Sequence, residues 1–268
     1  MSTPGELQVS KRNARFQQWE ALLTNRNKRQ RAGEFLVQGV RPINLAIEHG
    51  WAIRALIHDT DRTLSDWANG VIARVPTLQV AMAGELIAEL SGKDDGAVEL
   101  LAVVEMPPDD LSRIQPDPNF LGIVFDRPSN PGNIGSVVRA ADAFGAGVVV
   151  ITGHAADPYD PRAVRASTGS LFAVPVVRQN SHVDVLAWAR EAGLQVVGTD
   201  EGGSVDIDDH DLTGPTLLVI GNETSGMSAG WREACDALVR IPISGSASSL
   251  NAAGAATVFL YEATRQRS

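Results

Sequence analysis

Short apolar runs rich in Val and Ile recur through the second half of the chain. They predict strands at FLGIVFD (120–126), GVVVIT (147–152), VPVVR (174–178), LQVVGT (194–199), TLLVIG (216–221) and ALVRIPI (237–243). Segments between them predict helices at residues 134–144, 183–192, 229–235 and 250–265. This alternation predicts a largely parallel sheet covered on both faces. Ligands bind beyond the carboxyl ends of such strands, here the loops after Asp126, Ile220 and Ile243.

The first half predicts a small α/β domain. Strands are expected at EFLVQG (34–39), AIRALIH (52–58) and ELLAVVE (99–105), with helices at residues 40–48 and 84–90. Trp19, Trp51 and Trp67 are interpreted as packing residues rather than as platforms for nucleic-acid bases. The Pro- and Asp-rich segment at residues 106–119 has no periodicity and reads as a linker. We therefore predict domains at residues 1–107 and 119–268, joined by a linker at residues 108–118.

The length and the residue types bound the class of protein. A chain of 268 residues with 44% hydrophobic positions can form two domains with real cores. No stretch approaches the roughly 20 apolar residues of a membrane helix, and no apolar signal core is present at the start, so we expect a cytoplasmic protein without membrane partners. The single cysteine, Cys235, excludes an intramolecular disulfide. The five histidines lack metal-ligand spacing, so we expect no metal.

The charge distribution changes what the net charge suggests. A net charge of −9 disfavours nucleic-acid binding, because phosphate contacts come from Lys and Arg. Residues 11–41, however, hold eight basic and two acidic side chains, a local charge of +6 that leaves −15 for the remainder. This asymmetry is compatible with a basic RNA-binding end on an acidic protein, and equally with a solvated helix face.

Three loops at predicted strand ends carry the candidate chemistry. The first, NPGNIG at residues 130–135, opens a helix whose buried stripe includes Val137 and Ala141. Arg139 then projects from another face, where it could hold a phosphate; the alternative is a glycine-rich turn with an ordinary surface arginine. The spacing is not the G-x-G-x-x-G dinucleotide fingerprint, which disfavours a Rossmann dehydrogenase.

The second loop lies in LLVIGNETSGMS, residues 217–228, where a buried strand ends at Gly221-Asn222-Glu223. Glycines at a strand end let backbone groups approach a flat ligand closely. Glu223 is the only formal charge in the turn. It could hydrogen-bond an arginine or a ligand amine, or it could cap a helix that begins near Ser228.

The third loop leads into the segment rich in Ala and Gly at residues 241–267, with Ser248 or Ser249 suited to cap the helix. The small side chains at residues 252–256 would let this helix pack tightly against a ligand loop or a second subunit. The alternative is a plain alanine-rich core helix, since alanine is also the best helix former.

Together these loops resemble the three signature motifs of the SpoU (TrmH-like) RNA 2′-O-methyltransferases of the SPOUT superfamily, in the same order and at similar separations. NPGNIGSVVRAADAFG resembles the first motif, LLVIGNETSGMS the second and IPISGSASSLNAAGAATVFLYEATRQR the third. FLVQGVRPINLAIEHGWAIRALIH and LSGKDDGAVELLAVVE resemble, more weakly, the substrate-binding domain of ribosomal-RNA members.

The resemblance implies an α/β fold in which a small RNA-binding domain precedes a parallel-sheet SPOUT domain with a deep trefoil knot. It implies S-adenosylmethionine as the cofactor, and a homodimer in which a second subunit completes the site. By motif position it implies a catalytic and substrate-positioning set, namely Asn133, Arg139, Glu223, Ser249 and Asn251. It implies cofactor contacts, largely through backbone groups, at Thr199, Gly221, Asn222, Ile241 and Leu250.

A ribose hydroxyl attacks only when its proton is removed or strongly polarised, whereas the sulfonium methyl is already activated. The family proposal makes Arg139 the base, which a free arginine pKa above about 12 makes awkward. We favour Arg139 as the anchor of the neighbouring phosphate and as the group that polarises the hydroxyl. Ser249 and Asn251 would then position the hydroxyl, and Glu223 and Asn133 would orient Arg139.

The expected reaction is methylation of large-subunit (23S) rRNA. The same chemistry on tRNA is an alternative that the additional N-terminal domain disfavours. A non-catalytic RNA-binding protein of ribosome assembly is disfavoured by the joint presence of Arg139, Glu223 and Asn251, and an oxidoreductase would instead bind NAD. The sequence leaves open the target nucleotide, and the choice between housekeeping modification and self-resistance to an antibiotic.

Overall fold

The computed structural model describes residues 6–92, 98–247 and 249–268. The chain divides into two compact units. The first comprises the described part of Met1–Pro107 together with Tyr159–Val164, and the second comprises Pro108–Pro158 and Arg165–Ser268. A short segment from the second half of the sequence therefore belongs to the first unit, which a division at one linker does not predict.

The first unit is built on a five-stranded mixed sheet. Its strands are β1 (Leu7–Val9), β2 (Glu34–Gln38), β3 (Ile53–Asp59), β4 (Leu78–Met82) and β5 (Leu100–Glu105), and its helices are α1 (Ala14–Thr24), α2 (Arg26–Ala32), α3 (Val40–Glu48), α4 (Asp66–Arg74) and α5 (Gly84–Ser91). The strand order is β1-β4-β3-β5-β2, with β5 antiparallel to both of its neighbours. The three predicted strands and the two predicted helices are confirmed; β1, α1, α2, α4 and β4 were not predicted.

Helices α1 and α2 have no clear hydrophobic periodicity in the sequence, which is why they were not predicted. Both begin at an asparagine whose side chain accepts a backbone N–H, Asn13 for α1 and Asn25 for α2. In α1, the buried residues Phe16, Trp19 and Leu22 recur every third position among exposed polar residues. Such a stripe is thin, and the dense charge of residues 11–41 obscures it. The burial of Trp19, which is 4% exposed, confirms its interpretation as a packing residue.

The second half of the chain supplies the remaining elements. The strands are β6 (Leu121–Asp126), β7 (Val148–Thr152), β8 (Val176–Gln179), β9 (Gln195–Thr199), β10 (Val205–Asp206), β11 (Thr216–Ile220) and β12 (Ala237–Arg240). The helices are α6 (Pro131–Ala143), α7 (Pro161–Ser167), α8 (His182–Glu191), α9 (Ala229–Ala234) and α10 (Ala252–Gln266). All six predicted strands and all four predicted helices are present, and α7 and β10 were missed.

The second sheet runs in the order β10-β12-β9-β11-β6-β7-β8, and its strand pairs are parallel. Every residue of β6, β7 and β11 is buried, which is why these strands read as continuous apolar runs. The predicted α/β class with a parallel sheet is confirmed, and the trefoil knot stays a prediction. The strand order changes direction between β6 and β11, and the carboxyl end of β11 lines the cavity described below.

The start of α10 differs from the prediction. The helix begins at Ala252, and its cap is Asn251, whose Oδ1 accepts the Ala253 N–H at 2.9 Å. Ser249 is therefore not the cap, and Ser248 lies outside the described residues. Residues 249–251 precede the helix, and Ser249 and Leu250 line the cavity described below. In the described part of the chain, no helix is long and apolar enough to cross a membrane.

Candidate active site

A cavity of about 320 Å³ lies at the carboxyl ends of β9, β11 and β12, and the start of α10 closes one side. All five predicted cofactor residues line this cavity, namely Thr199, Gly221, Asn222, Ile241 and Leu250. Two of the predicted catalytic residues line it as well, Glu223 and Ser249. The other three, Asn133, Arg139 and Asn251, do not line the cavity. Asn133 is hydrogen-bonded to Glu223 in the cavity wall, and Asn251 is hydrogen-bonded to Asn133.

The loop after β11 is a tight turn held by backbone and side chain together. Asn222 and Gly226 exchange two backbone hydrogen bonds of 3.0 Å each. A Cβ at position 221 would overlap the backbone of Gly226, so only glycine fits there. Asn222 Oδ1 accepts the N–H groups of Thr224 and Ser225 at 2.9 and 3.0 Å. The side chain of Asn222 thus shapes the turn.

Glu223 ties this turn to the loop after β6. Its carboxylate accepts the N–H and the hydroxyl of Ser129 at 3.1 and 3.0 Å, the Asn130 N–H at 3.3 Å, and Asn133 Nδ2 at 3.0 Å. Burial alone would raise the pKa of Glu223, but the hydrogen bonds from Ser129 and Asn133 outweigh it and hold the pKa below its ordinary value. The carboxylate also lies at the N-terminus of α6, where the helix dipole favours a negative charge.

Of the interpretations that we considered for Glu223, the helix cap is wrong, and the hydrogen bond to a ligand amine stays a prediction. It does not cap α9, whose N-cap is Ser228. Its carboxylate accepts hydrogen bonds from Ser129, Asn130 and Asn133 in the first loop and from its neighbour Asn222, and within the described residues none joins it to Arg139. Loop-to-loop contacts of this kind link residues about 90 positions apart, so no local pattern could indicate them.

Asn133 and Asn251 bring the third loop into the same cluster. Asn251 Nδ2 lies 3.5 Å from Asn133 Oδ1, while Asn133 Nδ2 donates to Glu223. One residue from each of the three loops therefore forms a chain of polar contacts beside the cavity. Ser249 is exposed at the cavity wall.

Arg139 stands apart from this chain of contacts. It lies on α6 between the buried residues Val138 and Ala140, and its side chain is exposed, as predicted. Its guanidinium forms no hydrogen bond or ion pair within the described part of the chain. A phosphate that binds Arg139 therefore displaces no partner among these residues.

Several charged residues near the cavity were not predicted. Arg232 and Arg240 line it and pair with Asp200 and Asp206, each at 2.6 Å. The pair Asp126–Arg127, behind the turn at 222–226, was also missed. The partners of Arg232 and Arg240 lie on other elements, and isolated Asp and Arg residues in a sequence carry no signal that they will meet.

The cavity suits a nucleoside-based cofactor. Its volume falls within the roughly 300–1,000 Å³ usual for small-molecule sites. Ile241, Leu250 and Phe259 offer apolar surface for a flat base, and Thr199 and Glu201 offer polar groups for a sugar or an amino-acid portion. The described residues hold no cluster of three or more His, Cys, Asp or Glu side chains that could bind a metal ion.

Comparison with known protein families identifies the relationship. Residues 121–261 match the SpoU rRNA Methylase family, and residues 13–102 match the SpoU L30e-like domain. The chain belongs to the SpoU rRNA methylase family. The first SpoU match contains all three loops, and the second covers most of the first unit, so the resemblance seen in the sequence is confirmed.

Characterised SpoU proteins resemble this chain over nearly all of its length. A 23S rRNA (uridine(2479)-2′-O)-methyltransferase from Streptomyces viridochromogenes is 58% identical over 99% of this chain and 94% of its own. The crystal structure of the SpoU methyltransferase AviRb from the same organism, in complex with AdoMet, superposes with a TM-score of 0.92 at 59% identity, covering 96% of this chain and 98% of its own. An AdoMet-bound rRNA methyltransferase from Sinorhizobium meliloti gives 0.89 at 31% identity, covering 97% and 98%.

Proposed function

We propose that this SpoU protein is an S-adenosylmethionine-dependent 2′-O-ribose methyltransferase that acts on 23S rRNA. One observation carries the proposal: Glu223, Asn133 and Asn251 join the three family loops around one cavity. The likeness to a 23S rRNA (uridine(2479)-2′-O)-methyltransferase over nearly the whole chain supports rRNA over tRNA, and indicates a uridine ribose as the target.

In this proposal, different residues bind the RNA phosphate, position the 2′-hydroxyl and fix the helix that carries Arg139. S-adenosylmethionine supplies an activated methyl group when it is bound. Arg139 holds the phosphate beside the target ribose and polarises the 2′-hydroxyl, which its exposure and its lack of a partner among the described residues support. Ser249 and Asn251 position the hydroxyl. Glu223 and Asn133 act on Arg139 indirectly, because they fix the start of the helix that carries it.

The first unit supplies affinity for RNA in this proposal, and residues 119–268 transfer the methyl group. Lys11, Arg15, Lys28 and Arg31 are exposed and can contact phosphates. Arg29 is an exception in the basic segment: it is 2% exposed and donates to the Leu22 carbonyl at 2.7 Å. From this proposed substrate we infer a cytoplasmic protein.

A homodimer is the assembly that we infer. One face of α10 is exposed and carries Gly254, Thr257 and Tyr261, and Tyr261 is 55% exposed. Leu250, in the cavity wall, is 44% exposed. A small-residue helix face continuous with an apolar cavity wall suits a second copy of this chain, which would cover both and complete the site.

The test is methyl transfer from tritiated S-adenosylmethionine to purified 23S rRNA and to tRNA, followed by mapping of alkali-resistant sites. We expect label at one uridine ribose of 23S rRNA. Label confined to tRNA would show that tRNA, and not 23S rRNA, is the substrate. Absence of transfer to either RNA, with S-adenosylmethionine binding intact in a thermal-shift titration, would indicate a non-catalytic RNA-binding protein. Stabilisation by NAD alone would overturn the proposal.

A further inference from the structure

Arg127 has an unusual backbone conformation directly after β6. Its φ is +51°, and within the described residues only one other non-glycine residue, Thr168, has a positive φ. The left-handed region is unfavourable for a long L side chain, so the surroundings must hold Arg127 there. Residues held in such conformations concentrate at functional sites.

Contacts to the backbone of Arg127 come from two sides. Its N–H donates to the Thr152 carbonyl at 2.9 Å, and its carbonyl accepts Asn222 Nδ2 at 2.6 Å. Arg127 is therefore tied to the end of β7 and to the turn that lines the cavity.

The side chains of Asp126 and Arg127 complete the connection. Arg127 Nε donates to Asp126 Oδ2 at 3.0 Å, and Arg127 Nη2 donates to the Gly226 carbonyl at 3.0 Å. Asp126, only 3% exposed, also accepts the Ser228 N–H at 2.8 Å and the Thr152 hydroxyl at 3.1 Å. Successive residues of a strand point to opposite faces, and the left-handed turn at Arg127 brings the two side chains together.

These contacts hold the cavity turn at both ends. Arg127 is hydrogen-bonded to residues 222 and 226, and Asp126 is hydrogen-bonded to residue 228. Neither Asp126 nor Arg127 lines the cavity. We propose that the Asp126–Arg127 pair is a positioning device for the S-adenosylmethionine site, which sets where the backbone of residues 221–226 meets the cofactor. The inference rests on the proposed function and adds two positioning residues to it.

Gly153 offers a second way to disturb the pair. A Cβ at position 153 would come within 2.7 Å of Arg127 Cγ, so an alanine there must displace the arginine side chain. Gly153 has a φ of +68°. Gly145 has a φ of +70°, and apart from its two chain neighbours no atom of the described residues lies within 4 Å of the place that a Cβ would take there. Alanine therefore carries the same backbone strain at both positions, and only Gly153→Ala also moves Arg127.

The experiment compares Arg127→Ala, Arg127→Lys, Gly153→Ala and Gly145→Ala in the full chain. Calorimetry gives the Kd for S-adenosylmethionine, and steady-state assays give kcat and both KM values. Two lost hydrogen bonds from a charged group predict a rise of roughly tenfold or more in the cofactor Kd and KM for Arg127→Ala. The KM for RNA, and kcat at saturating cofactor, should stay near wild type. Lysine cannot bridge Asp126 and Gly226 at once, so the cofactor Kd of Arg127→Lys should stay close to that of Arg127→Ala.

Gly153→Ala should weaken cofactor binding in the same direction, and Gly145→Ala should leave it unchanged. An unchanged cofactor Kd in both Arg127→Ala and Gly153→Ala would overturn the inference and leave the pair a purely structural one. If Arg127→Ala does not fold, the cofactor Kd of Gly153→Ala is compared with that of Gly145→Ala, and equal values overturn the inference. Failure of the wild-type protein to bind S-adenosylmethionine would instead refute the proposed function, so the two failures are distinguishable.

Discussion

The two charged side chains Glu223 and Arg139 are held in opposite ways. Glu223 accepts four hydrogen bonds from the loop after β6, whereas Arg139 projects into solvent without a partner among the described residues. Glu223 therefore holds two loops together, whereas the exposed Arg139 guanidinium can exchange water for a ligand without breaking a contact to the described residues. This contrast is why we assign positioning to Glu223 and substrate contact to Arg139.

Arg139→Ala tests the substrate contact. We expect methyl transfer to fall by roughly a hundredfold or more, because a charged donor to the reacting group is lost. Cofactor Kd should stay near wild type, since Arg139 does not line the cavity. Arg190→Ala on α8, also exposed, is the matched control and should keep full activity. A large rise in cofactor Kd for Arg139→Ala would contradict the assignment.

Glu223→Gln tests the link between loops. The amide keeps the shape but turns one acceptor oxygen into a donor facing N–H groups, so we expect a loss of about 1 kcal/mol of unfolding free energy at pH 7 and reduced methyl transfer. Glu233→Gln, at an exposed position of α9, is the control and should change neither stability nor methyl transfer.

The pH dependence of this effect follows from the lowered pKa of Glu223. Its folded-state pKa lies below the ordinary 4.5, so the stabilisation is fully present above 4.5 and is lost as the pH falls through the lower folded value. The stability difference between wild type and Glu223→Gln should therefore shrink only below about pH 4.5. Urea unfolding at several pH values measures this difference, and one that stays constant down to pH 3 would count against the charged form.

At the level of elements, helix α10 is fixed at both ends. Asn251 caps its start, and beyond its end the Arg267 guanidinium donates to three carbonyls, those of Leu212, Asn119 and Gly214, at 2.8, 2.6 and 2.6 Å. Burial lowers the pKa of Arg267 from its ordinary value, and the carbonyls compensate for the lost water. The helix is thus held in place at the site and at the opposite edge of the sheet.

Arg267→Ala tests the second anchor. The loss of three charged hydrogen bonds, partly replaced by water, should lower the unfolding free energy by about 1–2 kcal/mol in urea titrations. Arg190→Ala on α8 is the comparison, because its side chain is exposed and forms no hydrogen bond or ion pair within the described residues, so it should change stability little. Equal effects of the two variants would mean that the carbonyl contacts do not stabilise the fold.

For the whole molecule, the decisive question is whether a second copy covers α10. Gly254→Arg places a bulky charge on the exposed helix face, where a Cβ would meet no described atom within 4 Å outside its chain neighbours and the backbone of its own helix. We expect wild type at about twice 28.5 kDa by light scattering, and the variant as a monomer with weakened cofactor binding. Gly70→Arg, at a helical glycine with equal space, should stay dimeric. A wild-type monomer that binds cofactor normally would refute the assembly.

Periodicity and motif spacing already indicate most of the catalytic half. Parallel strands that are buried on both faces are continuously apolar, so β6, β7 and β11 can be recognised from the sequence alone. Glycine-rich turns mark where they end. The cavity contains every residue predicted to contact the cofactor, because the carboxyl ends of parallel strands lie at one edge.

Contacts between distant segments are what folding alone establishes. Glu223 meets Asn133 across 90 positions, and Arg127 meets Gly226 across 99. The strained φ of Arg127 and the membership of residues 159–164 in the first unit depend on contacts with segments that are distant in the sequence. Hydrophobic period and turn chemistry are local properties that a sequence displays directly, whereas hydrogen-bond partners exist only once the chain has brought them within reach.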